Sequence, residues 1–221
     1  KAHLHADLIF GLPDENLESI AEGFNKLYAT QVHEIQLGIL KRLRGTPIAR
    51  HTGPFEMVYD DQPPYVVRQT RDLDATSLER FTRMAKYWDL IANSGRFKTS
   101  LPLILSPLAE PASAFRSFMH FSDHVWLSAG KTYGLTPEDL VDAVFDYLTA
   151  VREMDSSSVR ASLLQDYLAS GARARPKCLA HERLPLGGQP TNQNLHEQSG
   201  STAHKLRGRQ DRHGVTLASS D

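Results

Sequence analysis

Within its first forty residues this chain changes hydrophobic period twice, from two to 3.6 and back to two. From His3 to Gly11 the residues sort by parity: Leu4, Ala6, Leu8 and Phe10 share one face, and His3, His5, Asp7, Ile9 and Gly11 share the other. Asp14, Glu15 and Asn16 follow, and their short polar or acidic side chains suit the free amides of a helix start. Leu17, Ile20, Ala21, Phe24, Leu27 and Tyr28 then recur at helical spacing, which predicts a helix over Glu15–Ala29. A second strand is predicted over Glu34–Leu40, closed by the turn Arg44-Gly45-Thr46-Pro47. Strand, crossover helix and strand at these lengths form a right-handed parallel unit. In a parallel barrel the apolar faces of such strands pack on outer helices and the more polar faces line the lumen.

The run Asp7-Leu8-Ile9-Phe10-Gly11-Leu12-Pro13, with the crossover helix, Leu40 and Arg44-Gly45-Thr46-Pro47 after it, resembles the fifth and sixth strands of the radical S-adenosylmethionine barrel. Against the pattern G-x-I-x-G-x-x-E, Asp7 stands at the first glycine, Ile9 and Gly11 match, and Asp14 takes the acidic place. Against D-L-I-x-G-L-P-G-E-T, Asp14 replaces the last glycine and Asn16 the threonine. Tyr87-Trp88-Asp89 and Asn93-Ser94-Gly95-Arg96-Phe97 resemble the C-terminal region of members that carry an N-terminal cobalamin-binding domain.

The resemblance implies that Ile9 and Gly11 lie against the adenosine part of S-adenosylmethionine. It implies that Leu40 offers backbone contacts and an apolar surface to the adenine, and that His5, Asp7 and Gln36 face the lumen. A four-iron four-sulfur cluster and cobalamin are implied for the intact parent alone. The cluster needs three closely spaced thiolates, and Cys178 is the single cysteine of the chain. With Lys at its start, the chain reads as the C-terminal portion of such a protein, with no catalytic residue of its own and inactive alone. The missing N-terminal portion is its expected partner. The rival reading is a non-enzymatic helical protein-interaction module.

From residue 49 to 73 the periodicity is lost, and Gly53-Pro54 and Pro63-Pro64 punctuate what reads as a long surface connection. Four helices are expected next. Leu78, Phe81, Ala85 and Trp88 mark the first, with Gly95 placed to end it, and Phe115, Phe118 and Trp126 mark a second over about Pro111–Leu127, beyond the short apolar run Leu101–Leu105. Thr136-Pro137-Glu138-Asp139 opens a third, with the stripe Leu140, Val141, Val144, Phe145, Leu148 and Val151. The fourth spans Ser157–Ala169, with Val159, Leu163 and Tyr167 inward. Tyr167 is the last aromatic, and from Cys178 onward polar residues dominate. The expected architecture is thus an α/β remnant of a partial (β/α) barrel over 1–48, a connection over 49–73, a mainly α-helical C-terminal domain over 74–177 and a flexible tail over 178–221.

A formal net charge of -1 gives no reason to expect nucleic acid or an anionic membrane as partner, and a cytoplasmic setting is the default. One cysteine excludes an intrachain disulfide and a multi-cysteine zinc site. His3 and His5, two residues apart on one strand face beside Asp7, have metal-ligand spacing, as do His120 and His124 one helical turn apart. Further ligands are not evident for either pair, so no metal site is expected. Cys178 reads as an inert thiol, the tail histidines as solvated, and Arg207, Arg209 and Arg212 as a small basic cluster.

Overall fold

In the computed structural model, which describes residues 3–171 and 174–182, strand β1 (His5–Phe10) leads through helix α1 (Leu17–Ala29) to strand β2 (Glu34–Ile39), and the two strands pair in parallel. The parity of β1 holds, since Phe10 is buried, Ala6 and Leu8 are half-buried, and His5, Asp7 and Ile9 are exposed. Helix α1 begins two residues later than the spacing predicts, because Asn16 is its cap. The Asn16 side chain accepts from the Glu18 and Ser19 N–H groups, and the Ser19 hydroxyl returns a bond to the Asn16 main chain. Ile20, Ala21 and Phe24 carry the buried stripe.

The 49–73 stretch departs from expectation. After a short 3₁₀ turn (Pro47–His51), strands β3 (Val58–Tyr59) and β4 (Val67–Gln69) form an antiparallel hairpin. Met57, Tyr59, Val67 and Leu73 are buried, so the segment is part of the core as well as a surface connection. The Val67 N–H donates to the Leu40 carbonyl at 2.9 Å, which docks the hairpin on the end of β2.

Five α-helices follow where four were expected: α2 (Ala75–Trp88), α3 (Leu101–Leu105), α4 (Ala114–Ala129), α5 (Pro137–Asp146) and α6 (Ser156–Ala169). The additional one is the short apolar run, organised as a single turn and a half. A buried carboxylate holds its start: Asp166 of α6 accepts from the Thr99 N–H, the Ser100 N–H and the Ser100 hydroxyl at 2.7, 2.9 and 2.6 Å. Helix α2 runs on into a π turn (Asp89–Asn93), and α5 into another (Tyr147–Val151). Thr136 and Asp139 cap α5 reciprocally, and Pro137 takes its first position.

The described residues are mainly helical, with two small two-stranded sheets and no closed barrel among them. The helices cover only one face of the β1–β2 sheet. Phe10 of β1, Phe24 of α1, Phe81 of α2 and Phe115 of α4 meet with ring centroids 5.0 to 6.4 Å apart in a cluster that also takes in Trp88 and Tyr28. One core therefore spans the expected barrel remnant and the helical domain. The polar stretch also starts later than expected. Leu179 is fully buried, and Asp142 accepts from the Lys177 and Cys178 N–H groups at 3.1 and 2.9 Å. The rest of the expected tail, from residue 183, with its basic cluster and three of its histidines, lies outside the described residues. No described helix is long and apolar enough to cross a membrane.

Two measurements check this account. Phe115 is fully buried between three aromatic rings, so Phe115→Ala should cost about 3–5 kcal/mol in denaturant unfolding. Asp155 caps α6 by accepting from the Ser158 N–H and the Ser157 and Ser158 hydroxyls, which hold its pKa down at about 2. Its folded pKa lies below its unfolded one, so its contribution is present above the ordinary aspartate range and is lost as pH falls toward about 2. Asp155→Ala should lower Tm near neutral pH, and thermal scans should show the gap to wild type closing across that acid window.

Candidate functional site

The turn after β1 is assembled by roles that follow the motif. Gly11 has φ +88°, and a Cβ there would lie 2.7 Å from Val67 Cγ1 and 3.3 Å from Leu78 Cδ2. Both the backbone and the space demand glycine. Asp14 sits at φ 64°, also left-handed, at the place where the resembled pattern has its last glycine. Its exposed carboxylate meets Arg71 at 2.9 Å. Glu15 accepts from the Gly11 and Leu12 N–H groups at 3.0 and 3.2 Å. Burial pushes the Glu15 pKa up, and these two bonds oppose the shift. Asn16 fills by its side-chain cap the position that the pattern gives to threonine.

The parallel register sets His5 beside Glu34, Asp7 beside Gln36 and Ile9 beside Gly38. Neighbours in a parallel pair point the same way, so these six positions share the face that the helices leave open. Ile9 is 43% exposed there, and His5, Asp7 and Gln36 are exposed with it. Gln36 donates to Glu34 at 3.2 Å and also lines an open cleft of about 420 Å³ with Glu34, Leu37, Asp89, Asn93 and Ser94. The face offers hydrogen-bonding groups around one small apolar spot at Ile9 and Gly38.

The other two expected cofactor residues are placed differently. Gly11 is buried beneath Val67 and Leu78. Leu40 is 9% exposed; its N–H donates to the Phe10 carbonyl, and its carbonyl accepts from Val67. The close approach that the glycine permits is made here by the chain's own valine.

Of the paired histidines, His3 packs its ring against His33 at 5.0 Å, and His33 Nδ1 accepts from the Leu4 N–H at 3.1 Å. His120 and His124 both lie against the Tyr147 ring, with His120 Nδ1 3.1 Å from the Tyr147 hydroxyl. Among the described residues no group of three or more His, Cys, Asp or Glu is placed to hold a metal. The Cys178 thiol is pushed up in pKa by burial and by Asp142, which keeps it protonated at neutral pH.

Residues 53–212 match the model of DUF4080, described as a protein of unknown function. The chain belongs to that family. Comparison with curated proteins and with solved structures returned no match. The DUF4080 region begins after β2 and takes in the hairpin and α2 to α6. Its packing does not stop at that boundary, because Val67 and Leu78 cover Gly11, while Phe81 and Phe115 pack on Phe10.

Sequence reasoning missed Val67, and it named Asn93 only within a resembled run, not for its bonds to β2. Asn93 Nδ2 donates to the Ile35 carbonyl at 2.9 Å, and Asn93 Oδ1 accepts from the Ile35 N–H at 3.4 Å. Neither residue belongs to a local period that would have marked it.

The two left-handed positions should respond oppositely. Gly11→Ala combines a left-handed φ with a steric conflict and should destabilise by about 2 kcal/mol or more. Asp14→Gly loses an exposed ion pair of little worth and relieves the backbone, so stability should rise by up to about 1 kcal/mol. Paired urea titrations check both, and a stabilised alanine variant or a strongly destabilised Asp14→Gly would refute this account of the turn.

Proposed function

We propose that this chain is the C-terminal portion of a radical S-adenosylmethionine enzyme of the cobalamin-binding type, supplying two late barrel strands and a helical accessory domain. One observation carries the reading. A parallel strand–helix–strand unit has helices on one face only, and the turn after its first strand builds the D-L-I-x-G-L-P motif from a left-handed glycine, a carboxylate tie and a helix cap. The open face, with His5, Asp7, Ile9 and Gln36, is the lumen wall in this reading.

The implied groups fit this chain unequally. In this reading S-adenosylmethionine would rest on the open face, with Ile9 beside Gly38 as the apolar surface for its adenosine and Asp7, His5 and Gln36 as the hydrogen-bonding groups around it. Gly11 and Leu40 act one layer below, by holding the turn and the end of β2 that aim Ile9. The iron-sulfur cluster does not fit. One cysteine, its thiol held protonated beside Asp142, cannot supply three thiolates. No reaction step is assigned to this chain, and the parent's N-terminal portion is its partner in the reading.

The interaction-module reading has one observation in its favour: Leu127 and Tyr133, near the end of α4, are 84% and 79% exposed. Isothermal titration of S-adenosylmethionine into the purified chain separates the two. Weak binding that is lost in Ile9→Asp supports the barrel wall. No binding by a chain that circular dichroism shows to be folded favours the module.

A further inference from the structure

Helix α2 carries a guanidinium that has found no acceptor. Four described arginines are half-buried, and three of them are bonded: Arg80 to the Asp123 carboxylate, Arg152 to the Ser106 and Pro107 carbonyls, and Arg160 to the Cys178 carbonyl. Arg83 instead lies against Trp126, its guanidinium carbon 4.9 Å from the ring centroid, and among the described residues its Nε–H is buried without a partner. An arginine stays charged throughout the physiological pH range and presents its donors as a rigid fork. The stack on Trp126 holds that fork in place, and with Nε sealed the donors left for a ligand are those on the two terminal nitrogens. Arg83 lines an open cleft of about 300 Å³ with Arg68, Glu79, Thr82, Trp126 and Thr132. That volume is at the small end of ligand sites. Glu79 is exposed and stands one turn before Arg83 on α2, the spacing of a helical ion pair, yet among the described residues no bond joins the two. Arg68, the other cation of the cleft, bonds Asp60 at 2.5 Å and interacts with Glu79 only through space. One guanidinium and one carboxylate therefore line the same cleft with their hydrogen-bonding capacity unspent.

We propose that this cleft binds a free α-amino acid as its zwitterion, with the carboxylate on the Arg83 fork and the ammonium on Glu79. Charge selects the ligand. The two open groups sum to zero, so phosphate or sulfate at Arg83 would meet the Glu79 carboxylate, and a simple amine at Glu79 would meet the Arg83 guanidinium. A small molecule carrying both charges satisfies both. A planar carboxylate accepts two parallel N–H bonds from a guanidinium, which fixes its orientation. The two threonines fit the same division. Thr82 donates its hydroxyl hydrogen to the Leu78 carbonyl at 2.8 Å, so toward the cleft its oxygen acts as an acceptor, three residues after Glu79 on the same helix. Thr132 adds a hydroxyl that can donate to the carboxylate. All six lining residues fall within the stretch 53–212 that matches DUF4080, so the inference depends neither on the residues before it nor on the S-adenosylmethionine reading.

The chain has two tryptophans, Trp126 in the cleft and Trp88 in the aromatic core, so their indole N–H signals in nitrogen-15 NMR of the full chain report the site and the core separately. Trp126→Phe assigns the two. Titrating alanine at constant ionic strength should move the Trp126 signal saturably, with a Kd of about 1 mM, and leave the Trp88 signal in place. Alanine amide and N-acetylalanine, which keep one charge each, should bind about tenfold more weakly or less. Glu79→Gln should weaken alanine about tenfold and remove its advantage over N-acetylalanine, and Arg83→Gln should abolish saturation, with circular dichroism confirming that each variant folds. Glu79 is exposed, so its variant decides the matter even where Arg83→Gln unfolds the chain. No saturable shift by about 50 mM alanine overturns the proposal. So does a shift that N-acetylalanine produces equally well, one that Glu79→Gln leaves unchanged, or one that survives Arg83→Gln in a folded chain.

Discussion

Four phenylalanines from four elements, Phe10, Phe24, Phe81 and Phe115, converge where β1, α1, α2 and α4 meet, and the rest of the packing is arranged around them. Two strands and one helix bury too little to stand alone. The rings remove that problem, because each strand–helix unit contributes an aromatic to a layer that the later helices complete. The cluster runs on through Trp88, Phe118 and Phe121 to Tyr147, so the α/β unit and the helical domain share one hydrophobic interior.

Covering one face of β1–β2 so fully leaves the other face to be accounted for by chemistry. The face is polar around Ile9, which suits either a barrel lumen or solvent. At the edges, buried or paired main-chain groups are the rule, and Asn93 shows how the chain satisfies one of them. The same π turn that interrupts the helical ladder carries Asn93 to Ile35, so an irregularity in a helix becomes the terminus of a sheet.

Much of the fold was legible because it is encoded at short range. The alternation from Leu4 to Phe10, the stripe from Ile20 to Phe24, and the Thr136-Pro137-Glu138-Asp139 start each depend on residues within a few positions of one another. Asn16 was seen as part of a helix start, though its capping role placed the boundary two residues on. The hairpin was illegible for the opposite reason. Strands of two and three residues are too short to show a period: Met57-Val58-Tyr59 and Tyr65-Val66-Val67 are runs of three apolar residues, and Leu73 stands alone between two aspartates. Leu179 misled in the same way, since one buried leucine does not alter the composition of a polar stretch. At the candidate site, the exposure of Ile9 followed from parity, whereas the burial of Gly11 and Leu40 followed from Val67, a residue in an element that no pattern announced.

By itself the sequence determined the secondary structure that hydrogen-bonds to itself: helix caps, the parallel strand–helix–strand order and the polarity of each strand face. These rest on backbone geometry and on contacts within one or two turns. Only the tertiary structure decided that Val67 would fill the space above Gly11, that Asn93 would bond to β2 at Ile35, and that one aromatic core would bind the α/β unit to the DUF4080 helices. Those outcomes depend on which distant segments come to lie side by side, and a one-dimensional pattern carries no distance between them.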